Sequence, residues 1–496
     1  MPAFRYWSNR LLLVCCFCLC VLYIQAQTGR VFFTGDNTDE TTFNNIQRSP
    51  QRASRDLNSI PSAYSLKAYA PVPGDQGKSG TCVAWSSSYA ARTISYCLQH
   101  LITDPAQIKE VAFSPNFIYY YVKQPGDADC TGGAKVEMAM KVLTQRGDVL
   151  LNENIADCVS KIDSKVDASA QAYSIKAYSA LTNTFGRISK NEILAIKRGI
   201  AEKKPVIFSL KCFKSLFDVG KEAIWRKKEV DSIVGNHAMC IVGFDDNKAG
   251  GAFEVMNSWG TEWGDKGFFW LPYDMLEQYG SYALELMDRE SYDPATTRSL
   301  GEPKLKGSLD LAIVDAGGNE INKMPVRRNF LSANGAVTPD PSKTAFTQYQ
   351  VTEKYAIGQR FKIGFTTNAP AFVYIFSIDD KKTVSTLFPY ASMISPAINS
   401  TNATVYLPSE TKGYRILPGA QKDRLFILYS KSPIDFEQLL KLVQGDPDNA
   451  AQLIRAHFAK NLLPSVRIKF NEKDIAFEVS ARENELLCFF TDIEYQ

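Results

Sequence analysis

Cys82 ends the loop Asp75-Gln76-Gly77-Lys78-Ser79-Gly80-Thr81 and opens a stretch that reads as helix. Gly77 and Gly80 permit the tight turn that such a loop needs. A thiol at a helix amino terminus lies beside unpaired N–H groups and the positive end of the macrodipole. Both favour the thiolate, which is the nucleophilic form. A cysteine at a helix start can equally be packed and inert. The chain has three histidines, His100, His237 and His457, so chemistry that needs an imidazole has a short list. His237 lies in Gly235-Asn236-His237-Ala238-Met239-Cys240, at the entry of a buried strand, a setting that also suits a satisfied core residue. A third cluster, Asn257-Ser258-Trp259-Gly260-Thr261-Glu262-Trp263-Gly264, pairs two Trp-Gly steps with an Asn that core filling does not explain. A thiol, an imidazole and a carboxamide that orients it are the parts of nucleophilic acyl transfer.

The elements that must bring these groups together come in a definite order. Helices are expected at 84–98, 135–145 and 191–203, with apolar residues on one stripe of each. Strands are expected at 206–210, 238–244, 253–257 and 267–271. Helices first and antiparallel-looking strands later indicate α+β with segregated layers, over residues 60–290. Residues 291–304 hold Pro294, Gly301 and Pro303 and read as a linker. Residues 305–496 form a second, mainly-β, sandwich-like domain. Its strands are expected at 309–314, 360–366, 371–377, 384–387, 404–407, 424–430, 466–470, 475–479 and 486–491, with helices at 436–442 and 449–460. The strand at Ala371 is apolar on both faces, which places it inside the sandwich.

At 496 residues the chain is long enough for two or three domains, and 45% hydrophobic with 22% charged residues is an ordinary globular balance. The formal charge is +3, which offers no global basic field for nucleic acid. Arg5 and Arg10 precede an apolar run from Leu11 to Ile24 that ends near Ala26, the pattern of a secretory signal and short for a membrane span. Cleavage there would remove four of the 11 cysteines, lower the charge to +1 and leave no stable membrane span. The expected location is secreted or in the cell envelope, where disulfides persist. Residues 27–59 are polar and read as a linker or a short pro-segment rather than core.

The three clusters together resemble the papain-like cysteine peptidases, over residues 61–288. The resemblance implies a two-lobed peptidase fold, no cofactor or metal, and peptide or protein substrates. It implies that Cys82 is the nucleophile, that His237 takes and returns its proton, and that Asn257 orients the imidazole. Gln76 has the spacing of the oxyanion-hole side chain, and Trp259 that of the cover over the His–Asn contact. Cys130-Thr131-Gly132-Gly133 resembles the family's Cys-x-Gly-Gly, in which glycine backbone pairs with an extended substrate; Asn236 also belongs to the substrate-binding set. Three departures stand out. Ser79 replaces the family's usual cysteine, so Cys130 is expected to pair with Cys158 instead. Val83 replaces an aromatic residue after the nucleophile. An inhibitory pro-region could occupy only residues 27–59, far fewer than the family commonly carries.

Residues 355–430 resemble a bacterial domain family of unknown function that often follows secreted catalytic domains, through Tyr355-Ala356-Ile357-Gly358-Gln359-Arg360, Leu387-Phe388-Pro389-Tyr390 and Leu425-Phe426-Ile427-Leu428-Tyr429-Ser430. That resemblance implies a binding or localisation module. The combined expectation is an exported bacterial cysteine endopeptidase. The competing readings are an inactive peptidase fold used as a binding scaffold, and a thiol acyl-transfer enzyme acting on cell-wall peptides.

Overall fold

The computed structural model describes residues 32–54, 60–220, 222–289, 304–329 and 346–496. The expected targeting segment 1–26 and nearly all of the linker expected at 291–304 lie outside the described residues.

Residues 32–54, the strap, run extended except for one short helix, α1 (Glu40–Phe43), started by the Asp39 carboxylate accepting from the Thr42 amide. After β1 (Ala63–Ser65), a long helix α2 spans residues 82–100. Its middle, Trp85–Arg92, has π-type hydrogen bonding. A local cause is visible: the Ser86 and Ser87 hydroxyls both donate to the Val83 carbonyl, at 3.0 and 2.7 Å, and compete with the backbone ladder. Helices α3 (Pro105–Val111), α4 (Pro115–Val122), α5 (Val136–Gln145) and α6 (Ser164–Ser169) follow. After β2 (Ala177–Ala180), helix α7 (Lys190–Ala201) starts at a capping box between Ser189 and Glu192.

The sheet of this unit adds β3 (Val206–Phe213), β4 (Ile233–Asp245), β5 (Ala252–Met256), β6 (Phe268–Pro272) and β7 (Gly280–Met287), with α8 (Tyr273–Tyr279) before the last strand. Among the described residues the order is β2-β7-β3-β4-β5-β6, antiparallel throughout, with β1 also on β4. Helix α2 packs against β4 and β3 over one continuous core. The architecture is α+β, as the order of elements indicated.

The second unit has three layers. One sheet is ordered β16 (Ala403–Leu407), β12 (Arg360–Thr367), β8 (Lys304–Val314), β20 (Ile475–Ser480), β19 (Lys469–Phe470). It faces a sheet ordered β10 (Val326–Asn329), β11 (Thr347–Tyr355), β21 (Leu486–Tyr495), β18 (Lys422–Ser430), β13 (Ala371–Asp379), β14 (Val384–Phe388). Val373, Ile375 and Ile427 point into the sandwich. Phe372, Tyr374, Phe376 and Leu428 point the other way, against helices α9 (Phe436–Gly445) and α10 (Ala450–His457) and against Met287 of the first unit. The doubly apolar strand thus has a sheet on one face and helices on the other. The strand expected at 466–470 is mostly a 3₁₀ turn, Ser465–Arg467, which leaves a two-residue strand.

Within the polar stretch 27–59, the described residues 32–54 differ most from expectation. Phe43 and Ile46 of the strap are fully buried in the core of the first unit. Polar neighbours hide these two anchors from a composition reading. Further along, the strap passes between the units. The Arg48 amide donates to Met393 O (2.7 Å), the Ala53 amide to Thr404 O (2.9 Å), and the Ser54 hydroxyl to Glu410 (2.7 Å). Arg52 pairs with Glu202 at 2.5 Å and donates to Ser400 Oγ at 2.7 Å. The units also meet directly: Asn399, the first residue of a sequon, is buried with its carboxamide donating to Glu285 and Leu286 O.

Phe43 also lies under the Arg48 guanidinium, 4.0 Å from its ring centroid. Phe43→Ala should therefore cost about 3 kcal/mol of stability, the usual penalty for emptying an aromatic site. A denaturation midpoint unchanged from wild type would show that the strap is not part of the folded core.

Candidate active site

The loop before Cys82 is built from its own polar groups. The Ser79 hydroxyl donates to Gln76 O at 2.6 Å, and Asp75 accepts from the Gly77 amide at 2.9 Å. Gly77 has φ +62°, which favours glycine. This loop is bonded to the Asn257-Ser258-Trp259 segment. The Gln76 amide donates to Ser258 O (2.8 Å), and the Ser258 hydroxyl donates to Gln76 Oε1 (2.6 Å). The Gln76 carboxamide is thereby oriented with its Nε2 turned toward the strap.

Cys82 begins α2, and the side chain of Thr81 does not cap it. His237 lies on β4, beside Leu210 of β3. The imidazole and the Asn257 carboxamide meet at 2.7 Å, Nε2 to Oδ1. The Ser258 amide donates to the same Oδ1 at 2.8 Å, which identifies that atom as the carboxamide oxygen. His237 therefore carries its proton on Nε2, and Nδ1 keeps a free lone pair. Nδ1 is buried and has no hydrogen-bond partner among the described residues. Trp259 stacks on the imidazole, with centroids 4.5 Å apart and planes at 15°.

The strap occupies this cleft. Phe32 stacks on the other face of Trp259 at 4.8 Å. Phe33 O accepts from Gln76 Nε2 (3.2 Å) and from Trp259 Nε1 (3.0 Å). The Asp36 amide donates to Asn236 O at 3.2 Å. Asn37 donates to Ala134 O through its amide (2.9 Å) and to Gly132 O through its side chain (2.6 Å), while the Ala134 amide donates to Gly35 O (2.8 Å). A Cβ on Gly133, where φ is +75°, would lie 2.5 Å from Gly35 O, so backbone approaches there only because the residue is glycine. Gln76, Gly132, Gly133, Asn236 and Trp259 thus all meet the main or side chain of one extended peptide.

Cys130 and Cys158 form a disulfide across 28 residues, which closes the loop carrying Gly132 and Gly133. Closure of that length contributes about 3 kcal/mol in the loop-entropy model. The remaining described cysteines, Cys82, Cys97, Cys212, Cys240 and Cys488, are free and buried. Among the described residues no cluster of three or more His, Cys, Asp or Glu could hold a metal ion.

Beneath the strap, Cys82 and His237 are both fully buried. Burial pushes the Cys82 thiol up to about 12, with the nearby Asp36 carboxylate adding to the effect. Burial also lowers His237 to about 4, against the opposing hydrogen bond that it donates to Asn257. Both shifts disfavour the charged form of the buried pair.

With this geometry, comparison with known proteins is direct. Residues 66–283 match the family model for papain family cysteine proteases. A second match, to a domain of unknown function, covers residues 354–433. Over 208 residues the chain is 28% identical to an uncharacterized peptidase C1-like protein of Acanthamoeba polyphaga mimivirus, spanning 40% of this chain and 63% of that one. Cathepsin K of Mus musculus is 25% identical over 210 residues, 41% of this chain and 57% of its own. The chain therefore spans about three fifths of the length of these curated relatives. Among solved structures, xylellain, a cysteine protease from Xylella fastidiosa, aligns with a TM-score of 0.43 and 21% identity, over 53% of this chain and 98% of its own.

The groups on both walls of the cleft are legible in the sequence, and the segment that fills it is not. Phe32 and Phe33, two aromatic residues in a polar stretch, were the available signal. Ser258, which orients both Gln76 and Asn257, stood next to the Asn without drawing notice.

In the intact chain, alkylation of Cys82 should be slow at pH 7 and accelerate about tenfold per pH unit as the thiolate fraction grows. A rate that levels off below pH 9 would contradict the burial-raised thiol.

Proposed function

We propose that this protein is an exported bacterial endopeptidase in which the papain-like domain hydrolyses peptide bonds through Cys82, His237, Asn257 and Gln76. The observation that carries the proposal is the strap: a peptide main chain already lies in the cleft, bonded to Gln76, Asn236 and Trp259. A substrate would use the same groups once the strap leaves. The apolar run from Leu11 to Ile24 and the Cys130–Cys158 disulfide fit export to an oxidising compartment.

Departure of the strap readmits water, and the cost of charging the buried pair falls. The Cys82 proton passes to His237 Nδ1, the nitrogen left free by the Asn257 bond, and a thiolate–imidazolium pair results. The thiolate attacks the substrate carbonyl carbon. The oxyanion takes hydrogen bonds from Gln76 Nε2 and the Cys82 amide. His237 then protonates the leaving amine, and water hydrolyses the thioester by the reverse sequence.

Residues 32–54 are the inhibitory segment of this scheme. The strap is too short to fold alone, and the C-terminal domain supplies the anchorage at its far end through Met393, Ser400, Thr404 and Glu410. The accessory domain thus couples to latency as well as serving as a binding or localisation module.

An irreversible epoxide thiol inhibitor should label the strap-cleaved protein at Cys82, and Cys82→Ala should abolish labelling and peptide hydrolysis together. Gln76→Ala should keep the label and lower kcat about 100-fold or more, the loss typical of one oxyanion donor. Hydrolysis that survives Cys82→Ala would overturn the assignment. Arg52→Ala removes the Glu202 ion pair and the Ser400 bond, and should raise the rate of Cys82 alkylation in the intact chain several-fold. An unchanged rate would separate the C-terminal anchorage from latency.

A further inference from the structure

Beside the nucleophile the Asp36 side chain of the strap is buried in a pocket that it fills, and the floor beneath it is polar. Ala238 of β4, Ser209 of β3 and Tyr282 of β7 are register neighbours across three strands. The Ala238 backbone meets the Cys82 sulfur, so Ser209 and Tyr282 lie one and two strands away from the thiol. Both side chains are fully buried. The Tyr282 hydroxyl donates to Asp36 Oδ2 of the strap at 2.9 Å. Ser209 Oγ faces the same carboxyl outside hydrogen-bond geometry and has no partner of its own among the described residues. Asp36 Oδ1 accepts from the amide and hydroxyl of Thr38, at 3.0 and 2.6 Å. The partners of this carboxyl are thus hydroxyls and an amide, with no cation among them.

When the strap leaves, the Tyr282 hydroxyl loses its acceptor and Ser209 Oγ still lacks a protein partner, until a substrate side chain takes the place of Asp36. An apolar side chain entering there would leave two buried hydroxyls unsatisfied, which is the situation that makes hydrogen-bonding sites reject apolar analogues strongly. A short side chain ending in an oxygen acceptor would satisfy the Tyr282 hydroxyl, as Asp36 does now, and would lie beside Ser209 Oγ. We propose that Ser209 and Tyr282 make this pocket a specificity subsite for a substrate residue with a short oxygen-bearing side chain, asparagine or aspartate, in preference to leucine or phenylalanine. The proposal rests on the peptidase reading of the same cleft. Within the pair, asparagine suits neutral pH better, because burial without a cation holds the Asp36 carboxyl above the ordinary range. Aspartate should gain on asparagine as the medium becomes more acidic.

Two experiments separate the pocket from the catalysis. In the intact chain, the rate at which iodoacetamide reaches Cys82 reports strap docking without requiring hydrolysis. Asp36→Asn should leave that rate within about twofold of wild type, whereas Asp36→Leu should raise it at least tenfold, and Tyr282→Phe should raise it with Asp36 retained. A leucine strap that protects Cys82 as well as the native one would overturn the polar pocket. In the second experiment, the strap-cleaved enzyme is given a positional peptide library. One position should favour asparagine and aspartate over leucine and phenylalanine by tenfold or more in kcat/KM. Tyr282→Phe and Ser209→Ala should each reduce that ratio while cleavage of the apolar peptides persists. A library preference for leucine or phenylalanine at every position would overturn the subsite. Should no library member be cleaved by a protein whose Cys82 still reacts with iodoacetamide, the peptidase reading fails, and the strap variants still decide the pocket.

Discussion

Taking a thiolate and an imidazolium out of water costs several kcal/mol for each ion, and their attraction offsets this only with good geometry and further hydrogen bonds. The strap imposes that cost on Cys82 and His237 by covering both. The ordinary response of such groups is to stay neutral, and the directions of their shifts, thiol up and imidazole down, are that response. The same chain segment that fills the groove also removes the solvent that ionisation requires.

Keeping a segment as short as the strap in place needs anchors from elsewhere. Phe43 and Ile46 supply them in the core of the first unit, and Arg48, Arg52 and Ser54 supply them against the C-terminal sandwich. The accessory sandwich is in turn fastened by Met287, which joins the layer between its inner sheet and its helices, and by the buried Asn399. Cleft, strap and second domain form one connected structure, with continuous main chain from Phe33 in the cleft to Ser54 at the second domain. Ser258 plays the corresponding part within the site. Its amide and hydroxyl orient Asn257 and Gln76 together, so one residue determines both the tautomer of His237 and the aim of the Gln76 carboxamide.

Local patterns exposed much of this. The stripe of apolar residues after Cys82 located α2, and Pro205 before Val206-Ile207-Phe208 located β3. Asn257 and the Trp-Gly steps pointed to the imidazole partner because an Asn among tryptophans has no packing rationale. Other elements left weaker traces. Helices α3 and α4 are only seven and eight residues long, too short for a clear period. Residues 466–470 alternate like a strand, yet Pro464 starts a 3₁₀ turn there. The strap reads as a linker or a short pro-segment because polar residues surround its anchors Phe43 and Ile46, whose burial depends on surfaces distant in the chain.

The amino-acid sequence by itself determined the chemistry available: which thiol, which imidazole and which carboxamide could act, and the order of helices and strands that carry them. Residue type and short-range spacing suffice for that, because nucleophilicity, basicity and helix or strand preference are local properties. Tertiary structure alone decided that residues 32–37 fill the groove, that Ser209 and Tyr282 face Asp36, and that the second domain holds the strap's far end. Those facts are contacts between segments distant in the chain, and they follow from the shape of packed surfaces, which no local pattern encodes.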